Sequence, residues 1–270
     1  MILDQRVIHQ TTDISEAVNN FRSGSYVFPY VAGQYLYVGS LLPFNNLFFE
    51  MAVVNNIATV PSIDIWWNTA WEPAVDINDQ TTGLFSSGTI TFSPELEKNW
   101  SFERRASDVT GLSSFQIYNM FWTRFSWSVT MNILTKINYI GQKFSDDSML
   151  FSYYPDLANT ELLTAFQVGK TTWTEQHYMA TEKIIKDLIK RNIIKARMQV
   201  LDPYLFKDAA CHAVAEIAYA GLGKPYFEQK AVAREAYKEE MNIKFYNIDQ
   251  NADGRLEPIE RIVQTGFLRR

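Results

Sequence analysis

The chain has 270 residues, 47% of them hydrophobic and 20% charged, enough to build proper cores in two ordinary domains or one large β-rich one. Lys and Arg number 25 against 30 Asp and Glu, a net charge of −5, which argues against a general nucleic-acid binder with its basic footprint. A single cysteine, Cys211, excludes an intrachain disulfide and a cysteine-based zinc site. No apolar run approaches the length of a membrane span and no signal peptide is visible, so the expectation is a soluble chain made in the cytosol.

The two halves differ. Residues 1–150 carry 8 Lys and Arg against 14 Asp and Glu, residues 151–270 carry 17 against 16, and six of the seven tryptophans lie in the first half. In that half short apolar or aromatic runs alternate with turn residues at intervals of about ten. This pattern predicts strands at Tyr26–Tyr30, Gln34–Gly39, Leu47–Val54, Ala58–Trp67, Thr89–Phe92, Phe115–Tyr118, Phe121–Val129 and Ile133–Ile140. Arg124, Ser126 and Ser128 interleave with Phe125 and Trp127, giving one wet and one buried face. Eight short strands without helices between them predict an antiparallel β-sandwich over residues 1–148. The segment around His9 reads as loosely ordered, and Asp146-Asp147 reads as part of a loop.

Beyond residue 150 the period becomes 3.6. Trp173–Arg191 places Trp173, His177, Ala180, Ile184 and Leu188 on one stripe, and Thr172-Trp173-Thr174-Glu175 reads as a capping box at its start. Asp202-Pro203 opens a second helix that runs to Gly221 or Gly223. A third is predicted from Pro225 to about Asn247 with Phe227, Ala231, Met241 and Phe245 inward, and a shorter one over Asp156–Gln167. The expectation for residues 149–248 is a helical bundle, and for the whole chain an α+β multidomain protein with a β-sandwich followed by that bundle.

Catalytic chemistry is hard to place. The three histidines are His9, His177 and His212; the last two fall in helices beside core positions and read as packing or polar-network residues. Cys211 adjoins His212, but consecutive helical residues point about 100° apart, so they do not form a dyad. Nucleotide-binding loops, zinc-protease helices and nucleophile elbows are missing from the sequence. Trp66, Trp67 and Trp71 read as sandwich core, with a sugar-stacking platform as the rival reading. The reading is of a protein that is not an enzyme, with no catalytic residue assigned.

Residues 249–270 hold the sharpest motif. Asp249-Gln250-Asn251-Ala252-Asp253-Gly254-Arg255-Leu256-Glu257-Pro258-Ile259-Glu260 fits an EF-hand-like calcium loop. Asp249, Asn251 and Asp253 supply short oxygen-bearing side chains and Gly254 the sharp turn. Arg255 supplies its backbone carbonyl and Glu260 a bidentate carboxylate. The expectation is one structural Ca2+ that clips the C-terminal tail. In that tail Phe267, Leu268, Arg269 and Arg270 read as an anchor for a neighbouring protein, two apolar and two cationic.

The stretch Ser62-Ile63-Asp64-Ile65-Trp66-Trp67-Asn68-Thr69-Ala70-Trp71-Glu72-Pro73, then Asp76, Phe85-Ser86-Ser87-Gly88-Thr89-Ile90-Thr91-Phe92, Trp100 and Phe121-Trp122-Thr123-Arg124-Phe125 resembles the β modules of tailed-phage structural proteins over residues 35–140. The helical part is similar to the head–tail connector (adaptor or head-completion) proteins of long-tailed phages. That likeness rests on Tyr154-Pro155-Asp156-Leu157, Trp173, Ala180, Leu188, Leu201-Asp202, Leu205, Ala209, His212, Ala215, Tyr219, Leu222-Gly223 and Ala236-Tyr237. The resemblance implies a virion neck component, a ring of twelve copies that docks on the portal. It also implies contacts with tail or other neck proteins and packaged DNA passing through the lumen without sequence-specific binding. The β module in front of the bundle departs from the smallest connectors. The alternative function is a calcium-dependent carbohydrate- or protein-binding module with an aromatic β-sandwich.

Overall fold

A computed structural model describes residues 5–22, 24–95, 98, 100–103, 120–242, 245–247 and 261–263. The chain divides between Gly141 and Gln142 into two compact units, a few residues ahead of the boundary expected at 148. The protein is α+β, with two antiparallel sheets in the first unit and a helical second unit.

Alternation of side chains across each strand builds the first unit. Its elements are β1 (Gln5–His9), β2 (Thr12–Asp13), α1 (Ser15–Val18), β3 (Tyr26–Val27), β4 (Leu36–Ser40), β5 (Asn46–Val53), β6 (Pro61–Trp67), β7 (Ala70–Pro73), β8 (Val75–Asp79), β9 (Gly88–Ser93), β10 (Phe102–Glu103), β11 (Met120–Trp127) and β12 (Lys136–Gly141). One sheet runs β2-β1-β4-β11-β6-β7 with β10 paired to β11, and the other runs β3-β12-β5-β9-β8. In the first sheet Phe125 lies opposite Leu36 and Ile63, and Thr123 opposite Val38 and Ile65, so these six share a face. Phe49 of β5 and Phe92 of β9 both meet Phe125 edge-on at 5.8 Å, joining the apolar faces of the two sheets. Each fully buried ring of this kind stabilises the fold by roughly 2–3 kcal/mol.

The other face of the first sheet holds a second cluster of Ile8, Tyr37, Trp66, Met120 and Trp122. Trp122 lies across the bare backbone of Gly39, where a Cβ would stand 2.8 Å from its ring. The N-terminal segment is not loose. It forms β1, paired along its whole length with β4, and Val7 and Ile8 are both fully buried on opposite faces. Gln5 ties it further, donating to the Ile140 carbonyl and to Asn19 Oδ1. Strands β7 and β8 were not expected, and the expected strand at Phe115–Tyr118 lies outside the described residues.

The second unit comprises α2 (Asp147–Tyr153), α3 (Thr160–Phe166), α4 (Thr174–Lys190), α5 (Lys207–Leu222) and α6 (Phe227–Glu240). Helix α5 is its centre and packs against α2, α3, α4 and α6. Ala209, Ala210, Ala213, Val214, Ala215 and Ala218 are all buried along it. Side chains this small let neighbouring helices approach closely. Asp202 accepts from the Tyr204 N–H ahead of α5, and Gly223 ends the helix at φ +86°, as the sequence suggested.

Three expectations are corrected here. Asp146 and Asp147 are not in a loop: Asp146 caps α2 by accepting from Met149 N–H at 2.9 Å, and Asp147 is its first residue. The capping box before α4 does not form; Trp173 occupies the cap, and Asp147 takes its N–H instead. Helix α6 ends at Glu240, its inward residues being Ala233, Tyr237 and Met241, while Phe227 and Ala231 are exposed. Beyond it β13 (Phe245–Asn247), where the helix was expected to continue, pairs antiparallel with β14 (Arg261–Val263), so a strand pair brackets residues 249–260.

Candidate functional site

The proposed calcium ligands Asp249, Asn251, Asp253, Arg255 and Glu260 and the tail residues Phe267, Leu268, Arg269 and Arg270 lie outside the described residues. Chemistry-bearing groups elsewhere turn inward. His177 is fully buried between Ser145 and Asp147: its Nδ1 lies 2.7 Å from Ser145 Oγ and its Nε2 3.0 Å from Asp147 Oδ1. With Nε2–H donating to the carboxylate, Nδ1 accepts the serine hydroxyl, and the ring is neutral. Burial lowers its pKa, and the hydrogen bond to Asp147 opposes that shift. The order of groups is that of a nucleophile, base and orienting acid, yet Ser145 is itself buried and its hydroxyl is engaged with His177. The array fixes helix to helix: Asp147 on α2, His177 on α4 and the Ser145 segment between the units' junction and α2.

The same holds for the other three candidates. His9 is buried, held to the Tyr26 hydroxyl at 3.0 Å and packed on Phe28 at 4.7 Å. His212 Nδ1 meets the Tyr154 hydroxyl at 2.8 Å. Burial lowers both histidines. Cys211 is fully buried, and desolvation pushes its thiol up to about 12, leaving it a packing residue and no partner to His212.

The tryptophan trio is divided by the fold. Trp66 is buried, Trp71 crosses it edge-on at 5.2 Å, and the Arg124 guanidinium stacks between Tyr35 at 4.2 Å and Trp71 at 4.9 Å while pairing Asp64. One face of the Trp71 ring is thus covered by the arginine.

A surface that sequence reasoning missed lies at one end of the β unit. Loops 28–35, 54–60, 80–87 and 128–135 meet there, knit by Phe28 N–H to Thr135 O, Met131 N–H to Tyr30 O and Asn55 N–H to Leu84 O. Ser128 Oγ accepts from Val60 N–H, and Thr59 Oγ1 accepts from Val129 N–H. Gly83 presses so close to Thr59 that a Cβ would stand 2.3 Å from its carbonyl oxygen. Thr82 and Leu84 join Gly83 in the left-handed region, a strained turn held by Asp79, whose carboxylate accepts from Thr81 and Gly83.

This platform exposes Val60, Ile133 and Leu134 at 69%, 73% and 62%. Val31, Val54, Ile57, Phe85 and Val129 are exposed beside them. None of its four loops contains Asp, Glu, Lys, Arg or His, in a chain where one residue in five is charged. Among the described residues no helix is long and apolar enough to cross a membrane. The chain matches no protein-family model and none of the curated proteins.

Proposed function

We propose that the protein is a structural component of the tailed-phage virion neck, a homo-oligomeric ring that docks on the portal and joins head to tail around the DNA channel. In this reading the N-terminal unit is a β-sandwich and the chain is not an enzyme. The observation that carries the reading is the fate of the reactive side chains: His9, His177, His212 and Cys211 are all engaged in packing or internal hydrogen bonds. A ring protein needs protomer contacts and no reactive groups, and a net charge of −5 suits a channel along which DNA slides. Negative-stain microscopy of the purified protein, alone and mixed with portal rings, tests it. Discrete rings or decorated portals are expected; a strict monomer that leaves portals bare refutes it.

The same reading gives residues 249–260 a structural calcium ion, held by Asp249, Asn251, Asp253, the Arg255 carbonyl and Glu260. The pairing of Asn247 with Arg261 brings the two ends of this segment together. Calorimetric titration of metal-stripped protein should show one site, lost in Asp249→Ala with Glu260→Gln. No heat at millimolar calcium refutes this part alone.

A further inference from the structure

The uncharged platform of the β unit goes beyond the neck reading and does not depend on it. We propose that it is the contact surface between two copies of this chain, set platform to platform about a two-fold axis. By their fractional exposures its eight exposed apolar residues present on the order of 750 Å², near the ~800 Å² that each partner contributes to a standard interface. Isolated patches on monomeric proteins are typically about 300–600 Å², so this one is large enough to call for a cover.

Charge selects the occupant. An acidic or basic partner finds no opposite charge in any of the four loops. A lipid surface taken up by a chain of net charge −5 calls for Lys or Arg around the apolar tips, and the loops have none. The exposed residues of α6 are a poor match as well, since Glu228, Arg234 and Glu235 would have to be desolvated against an uncharged face. A two-fold contact asks only that a surface fit its own image, and a surface without charges does not repel itself. Asn56, Thr59 and Asn132 add hydrogen-bonding groups without adding charge.

The platform is also pre-organised. Its loops are fixed by the side-chain hydrogen bonds of Asn55, Thr59 and Ser128 and by the Gly83 N–H donating to the Asp79 carboxylate, so little loop ordering accompanies association. Ile133 and Leu134 sit at the tip of a turn closed by Thr135 N–H to Asn132 O, which makes them the central anchors.

Sedimentation velocity of the full chain up to roughly 100 µM tests the pairing, a range that covers weak to moderate self-affinity. The wild type is expected to form a dimer, and Ile133→Asp with Leu134→Asp to weaken it by a factor of about 100 or more with an unchanged melting temperature. Val168→Asp, on the highly exposed Val168 of the helical unit, is expected to leave the dimer intact. A wild type that stays monomeric overturns the proposal, as does a double variant that still dimerises. Binding of the monomer to phosphatidylcholine vesicles through Ile133 and Leu134 overturns it in favour of a lipid surface. A monomer that decorates portal rings overturns the pairing and leaves the neck reading standing; a platform dimer that ignores portals does the reverse.

Discussion

Replacing Asn55 should unlock the platform. The residue is fully buried, and its side chain joins three of the four loops. Nδ2 donates to the carbonyls of Ile57 at 2.6 Å and Gly83 at 3.0 Å, and Oδ1 accepts from the N–H groups of Ile57 at 3.1 Å and Asn132 at 3.2 Å. Asn55→Ala deletes all four bonds and strands two carbonyls and two N–H groups. A net value of about 1 kcal/mol per bond, with about 1–3 kcal/mol for a group left unpaired and dry, gives an expected loss of roughly 3–5 kcal/mol. That is a large part of the 5–15 kcal/mol typical of a domain. Asn55→Asp discriminates further: it keeps the acceptor oxygen but aims a carboxylate at two carbonyls, so it should cost at least as much at neutral pH. Urea unfolding followed by tryptophan fluorescence reads the β unit directly, because six of the seven tryptophans lie in the first half of the chain. Midpoints within about 1 kcal/mol of wild type for both variants would show that Asn55 does not hold the loops together.

Gly39→Ala should destabilise the β unit by about 1–3 kcal/mol, because the new methyl meets the buried Trp122 ring at 2.8 Å; an unchanged urea midpoint contradicts that contact. For His177, whose pKa burial lowers, the unfolded chain takes up a proton below pH ~6.5 that the folded chain refuses. Stability of the helical unit should therefore fall as pH drops below that point, by up to about 1.4 kcal/mol per pH unit, and His177→Gln should flatten the slope measured by circular dichroism. His212, in the same unit, is shifted in the same direction and leaves a residual slope in the variant; an identical slope in wild type and variant rejects the role given to His177. Cys211, with its thiol pushed up to about 12, should resist a disulfide-exchange reagent at pH 8 in the native protein and react fully in urea; rapid native labelling would contradict its burial.

The sequence periods were good guides where an element buries one face. Strands β6 and β11 alternate between a buried and a half-wet face, and α4 carries its stripe as Ala180, Ile184 and Leu188, so both kinds of element were legible. Strand β1 was not, because Val7 packs on one face and Ile8 under Tyr37 and Trp122 on the other, which erases the alternation. Helix α2 spans only seven residues, too few to show a period against its neighbours. The end of α6 was overrun because Phe245 continues the 3.6 spacing after Met241, while the chain in fact turns there into β13. Thr172 and Glu175 matched a capping box in letters, but a carboxylate from elsewhere, Asp147, reached the Trp173 N–H. Local pattern yields to a tertiary partner of that strength.

The platform differs from these cases because its signal was present in the sequence and had no local meaning. Residues 28–35, 54–60, 80–87 and 128–135 are each a short stretch without charge, and short uncharged stretches are ordinary in a chain that is 47% hydrophobic. Only the strand order converts four such stretches into one surface: β12 pairs β3 and β5, while β11 pairs β4 and β6. The loops leading into and out of those strands must then share one end of the unit. Asn55 is legible in the same delayed way, since an asparagine in a loop usually reads as a turn residue facing solvent. Its full burial with four side-chain hydrogen bonds shows the loops to be a built surface, because a mobile connection would not fix a polar hub at its centre. A surface that is rigid, apolar and uncharged at once is poorly suited to bare contact with water, and that conjunction is the physical ground for expecting another protein surface against it.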